Sequence, residues 1–316
     1  LPLWTPDGKE IYFGSRVNDR TGLYKMSAFG SDKEKLAEFD DWYVRVAFGS
    51  SSDIMLLERN NGIADASGVT DLESMSVENE NVNWGPVISP DDKWVAFVSD
   101  RTGRYEIFVA AMPLDVGNAR QVSIDGGVFP TWSRDGKKIF FTSRTRDFQK
   151  RELFSFDVKK KKTKSIIVES NETYVELNQM RFPPNWRVLK NGKEILWFSE
   201  RDGWGHLYLY NGNGKLKKQI TKGDWLVLEV LLVDEKNNEV FFTGVGREKD
   251  RDPYLIHLYK ASLNTGKVTL LSLEDAHHIV KISPNKNYFI DTYSTRSTAP
   301  VTVVRDLSGK VLMSVE

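Results

Sequence analysis

The 316-residue chain contains no cysteine. Disulfides, thiolate nucleophiles and Cys-ligated zinc are therefore excluded, although this alone does not fix the compartment. No apolar run approaches the ~20 residues a membrane-spanning helix needs. Net charge is also lacking: 44 Lys+Arg stand against 44 Asp+Glu. No global field then draws the chain to nucleic acid or to an anionic membrane. Histidines number only four, and no stretch carries convincing helical periodicity. A helical solenoid is disfavoured. What remains is 40% apolar and 28% charged residues, the range of a soluble globular protein. The chain opens on "LPLWTPDG", without Met and already inside a strand, which reads as a trimmed or processed start with any signal peptide out of view.

An internal repeat is present. "WTPDGKEIYFGSR" from Trp4, "ISPDDKWVAFVSDRTGRYEIFVAAM" from Ile88, "WSRDGKKIFFTSRTRDFQKRELFSFDV" from Trp132 and "LKNGKEILWFSERDGWGHLYLY" from Leu189 share one pattern. Each has an Asp/Asn turn, an aromatic and β-branched strand, a polar turn and a second strand rich in aromatics. Weaker copies are "VDEKNNEVFFTGVG" with "HLYKASL", "ISPNKNYFIDTYSTR" with "PVTVVRDL", and "VAFGSSSDIMLLERNNG" near Phe48. The turn anchors Asp7, Asp53, Asp91, Asp135, Asn191, Asn237 and Asn285 are spaced by 46, 38, 44, 56, 46 and 48 residues. That period is the length of one propeller blade of four strands, ~40–50 residues. The expectation is an all-β chain: a single β-propeller domain over 1–316 with seven four-stranded blades, an eighth being admissible ahead of Leu1.

The long interval between Asp135 and Asn191 holds an insertion. Lys159 to Lys162 within it read as a solvated hairpin tip rather than a phosphate patch, because no aromatics are interleaved. Gly212 to Gly214 read as another tip. His277 and His278 are adjacent, so on a strand they point to opposite faces and do not jointly hold a metal. His206, in an aromatic strand, reads as a structural hydrogen-bonding residue. No cofactor or metal site is implied.

The segment "SPDDKWVAFVSDRTGRYEIF" (Ser89 to Phe108) resembles the TolB-like repeat. "ETYVELNQMRFPPNWRVLKNGKEILWFSERDGWGHLYLYNGNGKLKKQITKGDW", with the copies after it, resembles the N-terminal propeller of the dipeptidyl peptidase IV branch of the prolyl oligopeptidase (S9) serine peptidases. The resemblance covers about the last 140 residues. It implies that "ERDGWGHLY" is scaffold and that catalysis belongs to an α/β-hydrolase domain after the propeller. No Gly-x-Ser-x-Gly elbow occurs in the chain; "GSSSD" from Gly49 lacks the second glycine. The family's double-Glu motif after Asp-Trp, which binds the substrate amino terminus, is missing as well. "DDWYVRV" (Asp40 to Val46) has no Glu pair, and Glu73, Glu78 and Glu80 are wrongly spaced. Cleavage dipeptide by dipeptide is therefore not supported by the sequence. By resemblance, Arg181 and Phe182 in "NQMRFPPNW" are the substrate-lining residues, with Pro183 and Pro184 stiffening their loop.

These readings define an expected function: the non-catalytic propeller of an extracytoplasmic serine peptidase, periplasmic or secreted, gating peptides and shaping the substrate pocket. Its partners would be a C-terminal α/β-hydrolase domain, absent from this chain, and peptide substrates. The alternative is a stand-alone TolB-like propeller mediating protein–protein interaction in the cell envelope. A propeller enzyme with a channel site has less support, since no paired carboxylates recur at equivalent loops.

Overall fold

In a computed structural model the described residues are 2–315, apart from 28–29, 31, 61, 70–71, 73–80, 177–183 and 284–285. The fold is an all-β propeller of seven successive blades, each an antiparallel sheet whose strands follow chain order. Sheets one to seven span 3–39, 44–65, 83–121, 128–170, 187–219, 226–270 and 277–315. Six have four strands. The second has three among the described residues, Val44–Phe48, Met55–Arg59 and Gly62–Asp65. Among the described residues the one helical element is a 3-10 turn, Lys190–Gly192. The chain divides into two compact units, Leu1–Ser170 with the first four sheets and Asn171–Glu316 with the last three.

The anchors Asp7, Asp53, Asp91, Asp135, Asn191 and Asn237 all fall between the first and second strands of their sheets. Asn285 lies outside the described residues. The chemistry of these turns is more specific than a left-handed Asp. Thr5, Ser89 and Ser133 each donate a hydroxyl hydrogen bond to the Asp two residues on, at 2.7, 2.6 and 2.8 Å. The same hydroxyls accept the backbone N–H of Glu10, Trp94 and Lys138, where the second strand begins. The positive φ then falls on the next residue, Gly8, Asp92 or Gly136. In the fifth sheet Asn191 itself takes it, with φ 57°.

In the third and sixth sheets the second strand is apolar on both faces, and its alternate side chains enter different cores. In Trp94–Ser99, Val95 and Phe97 pack with Leu56 and Ile63 of the second sheet, while Ala96 and Val98 pack with Ile139 and Phe141 of the fourth. In Glu239–Val245, Val240 and Phe242 join Leu196, Phe198 and Leu207 of the fifth sheet, while Phe241 joins Phe289 of the seventh. Face-to-face stacking of sheets within each unit follows from this pattern.

Candidate functional site

The strands of each sheet alternate in direction. The turn between strands two and three therefore lies at the same end as the connection to the next sheet. Backbone bonds tie these segments together: Gly127 donates to the Tyr105 carbonyl, Val227 to Gly205 and His278 to Ile256. Charged side chains reinforce the ties, with Arg104 bonded to Asp125 and Arg251 to the carbonyls of Leu273 and Glu274. This end carries exposed apolar groups. Among them in unit one are Trp42 (63% exposed), Tyr105 (46%) and Ile124 (76%); in unit two, Trp204 (43%), Tyr254 (85%) and Leu273 (64%). The hairpin tips at the opposite end are mostly Asp, Asn, Gly, Ser, Thr and Lys, although exposed apolar residues such as Trp94, Leu216 and Tyr288 open the strands that follow them. Lys159, Lys160 and Lys161 are exposed at such a tip, as their composition suggests, and Lys162 opens the strand that follows.

The "ERDGWGHLY" stretch is a structural device. Arg201 folds back so that Nε donates to Ser199 Oγ at 2.9 Å, and its guanidinium lies 4.5 Å from the Tyr208 ring centroid. Arg101 repeats this with Ser99 at 3.2 Å and Phe108 at 4.5 Å. Arg59 over Phe39, Arg144 over Phe148 and Arg247 over Tyr259 are further versions. A planar cation over an aromatic face caps the apolar sheet where it meets water. His206 is buried: Nδ1 lies 3.0 Å from Thr221 Oγ1 and Nε2 2.8 Å from the Gly223 carbonyl. Thr221 already accepts the Leu207 N–H, so its proton serves Nδ1, and Nε2–H serves the carbonyl. Both ring nitrogens thereby have a partner.

Arg181 and Phe182 lie outside the described residues, as do Glu73, Glu78 and Glu80. The root of the Arg181 segment is described and firmly held. Asn185 is buried; its side chain donates to the Leu228 carbonyl at 2.7 Å and accepts the Val230 N–H at 2.8 Å. This amide fills a register shift in strand Leu226–Asp234, between the pairings of Val227 and Glu229 and of Val230 and Leu232. Arg187 donates to the carbonyls of Pro184, Trp186 and Val230. Burial lowers its pKa to about 10. In the "DDWYVRV" stretch, Tyr43 and Arg45 both bond the buried Glu58, an acid supplied by the neighbouring strand.

His278 points inward and His277 is half-buried, as adjacency on a strand requires. Sequence reasoning missed what His278 meets. Its Nδ1 lies 2.8 Å from Asp291 Oδ1 and its Nε2 3.1 Å from the Glu274 carbonyl. Arg305, also buried, donates Nε to Asp291 at 2.9 Å, Nη2 to the Glu274 carboxylate at 2.7 Å and Nη1 to the Gly309 carbonyl at 3.1 Å. Ligand-type atoms of Glu274, His278 and Asp291 lie within 4.8 Å of one another. The guanidinium already supplies the positive charge among them, so a cation there would have to displace it. Burial opposes ionisation of Glu274, but hydrogen bonding and charge from Arg305 win and hold its carboxyl below the ordinary range. The sequence signal was an acid at 291 and a base at 305, each an inward position of an apolar strand.

The blades, their scaffold arginines and the buried His206, His257 and His278 define a β-propeller. Residues 129–300 match the family model "Dipeptidyl peptidase IV (DPP IV) N-terminal region". This chain belongs to that family. A probable dipeptidyl peptidase 4 of Aspergillus flavus is 31% identical over 132 residues, covering 37% of this chain and 16% of that protein. The crystal structure of Porphyromonas gingivalis dipeptidyl peptidase 4 superposes with a TM-score of 0.74 at 19% identity, covering 100% of this chain and 52% of that one. A putative TolB from Agrobacterium tumefaciens gives a TM-score of 0.50 at 14% identity, covering 76% of this chain and 83% of that one. The matched part thus spans about half the length of the solved peptidase and a sixth of the fungal one.

Proposed function

We propose that residues 1–316 are a single non-catalytic propeller domain, part of a dipeptidyl peptidase IV-like serine peptidase that works outside the cytoplasm. An α/β-hydrolase domain of the same polypeptide supplies the chemistry, and the propeller gates peptide access and shapes the substrate pocket. The observation that carries this reading is the set of exposed aromatic and aliphatic groups at the connection end, Trp42, Tyr105 and Ile124 in unit one and Trp204, Tyr254 and Leu273 in unit two, with Arg104 and Arg251 on the same segments. Such a surface suits extended peptide, whose carbonyls take Arg hydrogen bonds and whose side chains take apolar contact. Arg181 and Phe182 line the pocket in this proposal, on a segment rooted by Asn185 and Arg187. The test is Arg181→Ala in the polypeptide that carries the hydrolase domain, with kcat/KM and Tm measured together. Lost activity at unchanged Tm is expected. No change in either, or a proportionate loss of both, removes the pocket role.

A further inference from the structure

In unit two, His257 begins the strand His257–Ser262, directly after the segment 246–256 that connects the middle strands of the sixth sheet. The ring is buried. Ser272 Oγ accepts the Leu258 N–H at 2.9 Å and lies 3.4 Å from His257 Nδ1, the ring's one side-chain hydrogen-bond contact among the described residues. Among the described residues Nε2 has no hydrogen-bond partner. The charged and titratable groups around the ring come from every neighbouring element. Arg251 and Glu248 belong to segment 246–256, Asp275 to the connection, His278 to the next sheet with its ring 5.3 Å away, and Tyr259 to the same strand at 6.4 Å. Segment 246–256 is held onto this site by Arg251, on the Leu273 and Glu274 carbonyls, and by the Ile256 carbonyl, which accepts the His278 N–H at 3.0 Å.

We infer that His257 is an acid-triggered latch whose protonation releases segment 246–256 and the exposed Tyr254 it carries. A proton on this ring would place a second cation near Arg251 in a dry site where Nε2 has no partner and where Nδ1–H could be accepted only by turning the Ser272 hydroxyl proton away from the ring. Opening the segment admits water and removes Arg251, which relieves both costs. Burial first, then His278 and Arg251, lower the His257 pKa to about 4, while Glu248 and Asp275 oppose this only in part. The sign follows: an opened ring with the ordinary value of ~6.5 takes the proton first, so closure is full above that pH and is lost as pH falls toward 4. Between pH 7.5 and 5 the opening equilibrium should rise about thirtyfold.

The experiment is hydrogen–deuterium exchange of the 316-residue chain at pH 7.5 and 5.0, corrected for intrinsic rates, beside NMR titration of the His257 ring. Exchange in peptides covering 247–256 should accelerate about thirtyfold at pH 5, with sheet five unchanged. In His257→Phe the acceleration should vanish. A ring that titrates near its ordinary value in the closed state, a segment with no acid response, or a His257→Phe chain that keeps the response would each overturn the latch. If the variant does not fold, the ring titration and wild-type exchange still decide.

Discussion

At the scale of single residues, arginines of two kinds must be separated. Arg201 lies over an aromatic face at the sheet boundary, half in water, where a cation–π contact contributes roughly 0.5–1 kcal/mol. Arg201→Ala should therefore lower stability by about 1 kcal/mol and leave the fold intact in urea titration. Arg305 is different. It is buried and neutralises Asp291, itself fully buried, together with Glu274. Removing one partner of such a set strands the others, and costs about 3–5 kcal/mol in comparable cases. Arg305→Leu should lose that much, with unit two affected first; a loss under 1 kcal/mol by the same urea titration would show that the network is not closed in solution. The contrast was only half legible from sequence. "S-x-R" closes the second strand in three sheets, at 99–101, 199–201 and 294–296, and the aromatics nearby suit the stacking seen for the first two. The Arg305 network could not be seen, because Glu274, His278, Asp291 and Arg305 meet only when the connection and three strands are brought together.

At the scale of elements, the sequence disclosed the blades through their turns. A Ser or Thr, an Asp two positions later and a Gly or Asp next wrote three of the first turns almost completely. The second sheet was the weakest copy, and there the fourth strand is not among the described residues. Asn185 was hidden for another reason: it acts as a piece of backbone inside another strand's register shift, and nothing in "FPPNW" reports a partner more than forty residues away. Asn185→Ala would leave the Leu228 carbonyl and the Val230 N–H without the bonds the amide makes. Each stranded buried group costs roughly 1–3 kcal/mol, so a loss of about 2–4 kcal/mol is expected in denaturant unfolding. Asn185→Asp keeps the acceptor toward Val230 but sets a carboxylate oxygen against the Leu228 carbonyl in a buried site, so it should cost at least as much as Asn185→Ala. Gly205 offers a steric check at the same joint. A Cβ there would come within 2.3 Å of Leu226 and 2.5 Å of Phe198, so Gly205→Ala should lower Tm by several degrees.

At the scale of the whole molecule, burial takes the hydroxyl–histidine pairs out of reach. Two histidines sit beside hydroxyls, His206 with Thr221 and His257 with Ser272, the first step of a nucleophile–base arrangement. Both hydroxyls are fully buried and both accept a backbone N–H, from Leu207 and Leu258. A substrate carbonyl has no route to either, and their place in the repeat is that of a strand-pinning bond. Ser123 does the same for Ile107, with Glu106 where the histidine stands in the other two sheets. The Gly-x-Ser-x-Gly elbow of an α/β-hydrolase does not occur in the 316 residues. The expected outcome is that the purified chain releases no chromophore from aminoacyl-proline or dipeptidyl substrates, while far-UV circular dichroism reports a β spectrum with almost no helix. Host peptidases are the confounding source, so the assay includes a mock purification and His206→Gln and Ser272→Ala variants. Turnover that exceeds the mock and disappears in either variant would place a working site inside the propeller and end its reading as a gate. Turnover that survives both variants belongs to a contaminant or to a group elsewhere, and a serine-directed covalent probe followed by peptide mapping separates those two.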